Sequence, residues 1–145
     1  MLNRNGYTLL ETMIVLLTLS VFLIIAVPIH HQTQAHISFT NFYKQFEDDV
    51  LLTQQLAMNN QSFYDLIIRP EQKKYFLMDA VKEQKIIERN IPHALTVELQ
   101  TLQIPIRFSS DGTIYSPGSF RIKTPDKTYK VVFPFGKSRC YMYEI

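Results

Sequence analysis

Residues 6–29 read GYTLLETMIVLLTLSVFLIIAVPI, and this stretch decides the architecture of the chain. From Thr12 to Ile29 there are 18 residues without a charge, and Tyr7–Leu10 extend the apolar run forward with only Glu11 between. A helix of about 20 residues spans about 30 Å, the thickness of a bilayer's hydrocarbon core. In lipid the backbone must satisfy its own polar groups, so the segment is expected to be helical there. A secretory signal peptide has a different layout, with a small-residue cleavage site after its apolar run. Here the small residue, Gly6, comes before the run, which closes on Ala26-Val27-Pro28-Ile29-His30. Cleavage at Gly6 would leave the apolar helix on the mature chain. Arg4 is unopposed by any acid in the leader, so the front end is expected to stay on the cytoplasmic side.

Glu11 is the exceptional residue, because a carboxylate inside an apolar helix costs a few kcal/mol even on lenient insertion scales. After a cut at Gly6 the new amine is that of Tyr7, and Glu11 lies four residues on, one helical turn away. Two roles are open: the carboxylate meets an amine, its own or a neighbour's, or it lies at the membrane edge and reaches toward water.

Gly6-Tyr7-Thr8-Leu9-Leu10-Glu11 followed by an uncharged helix resembles the N-terminal signature of the type IV pilins and pseudopilins. The resemblance implies that a prepilin peptidase cuts between Gly6 and Tyr7 and methylates the Tyr7 amine. It also implies that Glu11 helps dock the subunit into a filament. Tyr7 stands where the family more often has Phe; the ring is kept. Pro28 matches the helix-kinking proline of that family, and its missing N–H leaves the Ile24 carbonyl unpaired, so a bend is expected there.

Beyond His30 the composition changes. Phe39, Phe42, Tyr43, Phe46, Val50, Leu56 and Ala57 recur at spacings near three and four, the stripe of an amphipathic helix. Glu47, Asp48, Gln54 and Gln55 are expected on the wet face, and Asn59-Asn60-Gln61-Ser62 reads as the stop. The whole helix would run from about Tyr7 to Met58, roughly 75 Å. His30, His31 and His36 cluster past the apolar run, but their spacing points them to different faces, so a polar belt is expected rather than a metal site.

After Ser62 the period becomes that of strands. Phe63–Arg69, Lys74–Asp79, Lys85–Asn90, Leu95–Gln100, Ile104–Ser109, Phe120–Lys123, Tyr129–Phe135 and Arg139–Tyr143 recur every 8–12 residues with turns between them, which predicts an antiparallel β-domain. Arg69–Lys73, Asp111-Gly112, Pro117-Gly118 and Pro125-Asp126-Lys127 read as turns. Pro105 restricts its segment to an edge or a strand start. So few residues form a marginal core alone, and the stripe of the preceding helix supplies the missing face. The expected fold is α+β: a leader (1–6), a membrane or filament-core helix (7–30), an amphipathic helix (31–61) and an antiparallel β-domain (62–145), with the helix laid across one sheet.

No G-x-S-x-G, H-E-x-x-H, Walker or C-x-x-C pattern occurs, so nothing in the sequence supports an enzyme, a cofactor or a small-molecule substrate. Asp48 and Asp49 are adjacent and face different ways. The single cysteine, Cys140, closes no internal disulfide; it either pairs with another chain or is a buried small apolar residue. From Ser62 onward 13 Lys and Arg oppose 9 Asp and Glu. That excess either contacts nucleic acid or an anionic envelope polymer, or is scattered solubilising charge. The candidate DNA contacts are Arg107, Arg121, Lys123, Lys127, Lys130, Lys137 and Arg139, with Tyr115 and Tyr129 as stacking rings.

Leu52–Ala57, Phe108–Thr113 and a final strand after Gly136 are similar to the D-type competence minor pilins of Gram-positive bacteria and to the H-type pseudopilins of secretion systems. That resemblance implies a minor filament subunit, held in the cell membrane and then at the cell surface, that supports DNA uptake in transformation. The implied partners are the prepilin peptidase, other major and minor pilins, the membrane and, if the basic residues serve it, DNA.

Overall fold

The structure, a computed structural model, describes residues 8–136 and 139–145, and of residues 25–35 the helical backbone alone. Helix α1 spans Leu9–Asn60. Thr8 caps its start, the hydroxyl Oγ1 accepting from the Glu11 N–H at 3.3 Å, which satisfies one of the orphan donors of the first turn. The end follows the predicted stop: Gln61 takes a left-handed φ of 47° that the helix cannot continue through. The helical backbone continues through Pro28. The chain forms two compact units, Met1–Gln34 and Ala35–Ile145.

In the second unit the strands are β1 (Tyr64–Arg69), β2 (Lys74–Asp79), β3 (Gln84–Asn90), β4 (Thr96–Leu99), β5 (Ile106–Arg107), β6 (Gly118–Lys123), β7 (Thr128–Phe133) and β8 (Tyr141–Glu144). They form two four-stranded antiparallel sheets, ordered β3-β2-β1-β5 and β4-β6-β7-β8, where the sequence suggested one. The α1 stripe serves both sheets. Phe46 meets Tyr75 of the first sheet edge-on at 5.4 Å between centroids and Phe120 of the second at 5.5 Å. Phe39, Phe42, Phe46, Val50 and Ala57 are all buried with Leu66, Leu77, Ile122 and Val131.

Three expectations change. Gln54 is buried rather than on the wet face, because its Nε2 donates to the Gly112 carbonyl at 2.7 Å and ties the helix to the Asp111-Gly112 turn. Gly112 itself has φ +82°, which a side chain would strain. Pro117-Gly118 is not a turn: Gly118 opens β6, and a Cβ there would lie 2.6 Å from the Leu102 Cα. Ile104–Ser109 is a strand only at Ile106–Arg107, continued by one bridge from Phe108 to Ile114; the Ile104-Pro105 bond before it is cis.

Buried polar groups are paired. Asp49 accepts from the Tyr75 hydroxyl at 2.7 Å and from Arg89 Nε at 3.3 Å. Asp48, its neighbour, is exposed. Asp65 and Arg107 form a two-point pair at 2.7 and 2.8 Å between β1 and β5.

Candidate functional site

The front unit presents the first site. Every described side chain from Thr8 to Ile24 is exposed, including Leu9 at 81%, Phe22 at 72% and Ile24 at 73%. The hydroxyls along it do not make it polar. Thr12 Oγ1 donates to the Leu9 carbonyl, Thr18 Oγ1 to that of Val15 and Ser20 Oγ to that of Leu16, each at 2.8 Å. Each hydroxyl is spent on its own helix, so the outer surface is hydrocarbon. An uncovered apolar surface of this extent marks contact with lipid or protein. Among the described residues no helix is long and apolar enough to cross a membrane.

Glu11 is the one acid on this surface, and among the described residues its carboxylate has no hydrogen-bond or ion-pair partner. Its N–H bond to Thr8 is a feature the sequence reading passed over. The signal was present as Thr8-x-x-Glu11, the capping-box spacing ahead of an apolar run. Gly6 and Tyr7 lie outside the described residues, as do the side chains of Pro28, His30 and His31. No metal-ligating cluster occurs among the described residues.

The basic residues do not gather on one bare patch. Arg107 is paired with Asp65, Lys123 with Glu98 at 2.6 Å and Lys127 with Glu144 at 2.9 Å. Arg121 lies beside the Gln100 amide. Arg139 is exposed, and Lys137 lies outside the described residues. Tyr115 is 56% exposed, but Tyr129 is no stacking platform: it is buried, its ring 4.1 Å from that of Phe39. The register does bring Arg121, Lys130 and Tyr143 side by side across β6, β7 and β8. Tyr141 stacks on Tyr143 at 6.3 Å. These two rings were missed because only pairing with β7 shows which face they share.

Cys140 is buried. Burial, then the Glu47 charge, pushes its thiol up to about 11, so the reactive thiolate is scarce at neutral pH. Burial likewise raises the Tyr43 and Tyr75 phenols, the hydrogen bond to Asp49 adding to the effect at Tyr75.

A helix packed on antiparallel sheets, as in the second unit, is an arrangement that solved structures share. The minor pseudopilin EpsH of the Vibrio cholerae type 2 secretion system is similar with a TM-score of 0.56 at 18% identity, over 76% of this chain and 96% of that one. The type IV minor pilin FimU of Pseudomonas aeruginosa PAO1 also gives 0.56, at 10% identity over 69% and 84%. The chain therefore has the type IV pilin fold, as its N-terminal signature implied. In sequence it is similar to the competence protein ComGD of Bacillus subtilis strain 168, 27% identical over 121 residues, 83% of this chain and 81% of that protein. No protein-family model matches.

Proposed function

We propose that the chain is a minor pilin-like subunit of a competence filament, without catalysis of its own, that supports DNA uptake during transformation. A prepilin peptidase cuts between Gly6 and Tyr7 and methylates the Tyr7 amine. The apolar helix then holds the subunit in the cell membrane as a single pass and afterwards packs among sister subunits at the cell surface, with a bend at Pro28. Glu11 meets a subunit amine during docking. One observation carries this reading: among the described residues, the apolar side chains of α1 from Leu9 to Ile24 are uncovered, its hydroxyls bond to their own helix, and the Glu11 carboxylate near its start has no partner. The likeness to ComGD supports competence over secretion.

The test pairs Gly6→Val with a clean deletion in the native host. The expected outcome is that Gly6→Val abolishes the size shift of maturation and, like the deletion, brings transformation to background while secretion is unchanged. A Gly6→Val chain of normal mature size sinks the processing step. Loss of secretion with intact transformation instead supports a pseudopilin of a secretion system, the reading that the likeness to EpsH favours.

The row Arg121–Lys130–Tyr143 favours a second contribution, direct contact with DNA by the outer face of the second sheet. Cations beside stacked rings suit phosphate and base together. Full-length protein in detergent would then bind DNA with a steep salt dependence, weakened in Lys130→Ala. Salt-independent binding, or none, removes this contribution and leaves the filament role intact.

A further inference from the structure

Accessible aromatic rings of the β-domain differ in what lies over them. Phe76 of β2 has Lys85 Nζ over its ring at 5.0 Å, and Phe63, just ahead of β1, has the Arg107 guanidinium over its ring at 5.3 Å. The chain's own cations thus occupy those two faces. Tyr141 and Tyr143 of β8 are 51% and 43% exposed, and among the described residues no cation lies over either ring. Their centroids are 6.3 Å apart and their planes within 24° of parallel.

Alternation puts both tyrosines on the outer face of the second sheet. Phe120, Ile122, Val131 and Phe133 are buried on its inner face, so Arg121, Lys130 and Val132 point outward. The register sets Tyr141 beside Val132 and Tyr143 beside Lys130, with Arg121 one strand further on. Lys123, on the same face, is taken up by Glu98. Lys130 and Arg121 enter no salt bridge among the described residues. Two cations without a carboxylate thus border two rings without a cover.

We propose that this face is a platform for unpaired DNA: one base stacks on Tyr141, the next on Tyr143, and the strand's phosphates lie over Lys130 and Arg121. This role rests on the DNA contact proposed above and narrows it to a single strand. Two distances select the occupant. Successive bases in a duplex are about 3.4 Å apart. Neighbouring bases seated on rings 6.3 Å apart have therefore left their own stack, which an intact duplex does not allow. Four strands about 4.8 Å apart measure roughly 14 Å across, wider than the roughly 12 Å major groove, so this sheet does not enter a duplex to reach its bases. A duplex meets the cations through its phosphates and leaves the rings unused. Stacking on tyrosine accepts any base, since every base has a π-face.

The experiment uses the full chain in detergent and three fluorescent probes of equal length: an oligothymidylate, its duplex with oligoadenylate, and an abasic strand with the same phosphates. In anisotropy titrations at one fixed salt concentration, the oligothymidylate is expected to bind about tenfold tighter than either other probe. Tyr143→Leu should bring it down to the abasic level without changing abasic binding, and Tyr143→Phe should restore it. Lys130→Ala should weaken all three probes. Where Tyr143→Leu lowers the melting temperature, photocrosslinking of the unaltered protein to a bromouracil strand gives the same readout, with adducts expected on Tyr141 or Tyr143 by mass spectrometry. Equal affinity for the three probes, tighter binding of the duplex, or adducts on other residues alone overturn the platform and leave phosphate contact with DNA standing. No binding of any probe overturns the DNA contact as well, and the filament role survives either result.

Discussion

One helix carries two apolar stretches that meet opposite fates. Between Phe39 and Ala57 the stripe is buried against two sheets, Phe46 being 1% exposed. Between Leu9 and Ile24 residues of the same kind are uncovered, Phe22 being 72% exposed. Both supply large apolar side chains, Phe and Leu with one Val in the later stretch and mostly Leu with Val, Ile and one Phe at the front. The difference is the rest of the chain. The later stretch has alternate polar residues and a β-domain to bury it; the front has neither. About 25 cal/mol per Å² of apolar surface favours cover, and this uncovered front is what the proposed membrane and filament roles would bury.

The comparison can be broken at its two ends. The largest effect is expected from Glu11→Ala, which leaves insertion intact and removes the subunit from filaments; membrane fractionation and filament pull-down read the two steps separately, and normal incorporation sinks the docking role. Next, Phe46→Ala empties the contact between helix and both sheets and should cost about 3–5 kcal/mol of stability in thermal or denaturant unfolding. It should leave leader cleavage unchanged, because the front unit does not use that core. If Phe46→Ala blocks cleavage, the two stretches are not independent.

A smaller effect comes with pH. Burial, then the Asp49 hydrogen bond, raises the folded-state pKa of Tyr75 above the ordinary tyrosine value of 10.0. The folded chain therefore keeps a proton that the unfolded chain releases. Stability from this group is complete below about pH 10 and is lost as the pH climbs toward the folded value, at up to about 1.4 kcal/mol per pH unit. Tyr43 acts with the same sign. Tyr75→Phe should flatten the alkaline fall while costing about 1 kcal/mol at neutral pH from the lost bond to Asp49; an unchanged alkaline slope argues against the buried phenol. The smallest effect is Thr8→Ala, about 1 kcal/mol of helix capping lost, seen as faster amide exchange confined to the first turn, with Thr8→Ser restoring it.

Local signals were legible in the sequence. The β2 bounds follow from alternation between the Arg69–Lys73 turn and Asp79, and the helix stop follows from Asn59-Asn60. What escaped depends on partners far along the chain. Gln54 looks like a surface residue until Gly112, 58 residues on, offers its carbonyl. The division into two sheets follows from β4 pairing with β6, past β5, which no local pattern encodes. Tyr129 looked like an exposed ring until Phe39 covered it. At the front, Glu11 was legible as an anomaly, whereas the hydroxyl bonds that keep the helix surface apolar needed the helix itself.

N-terminal sequencing and intact mass of the mature protein from the native membrane test the central claim most directly. A chain beginning at a methylated Tyr7, with the apolar front still attached, is the predicted result. A freely soluble chain that begins downstream of Ile29 would contradict it, since the uncovered helix would then play no part in the working molecule.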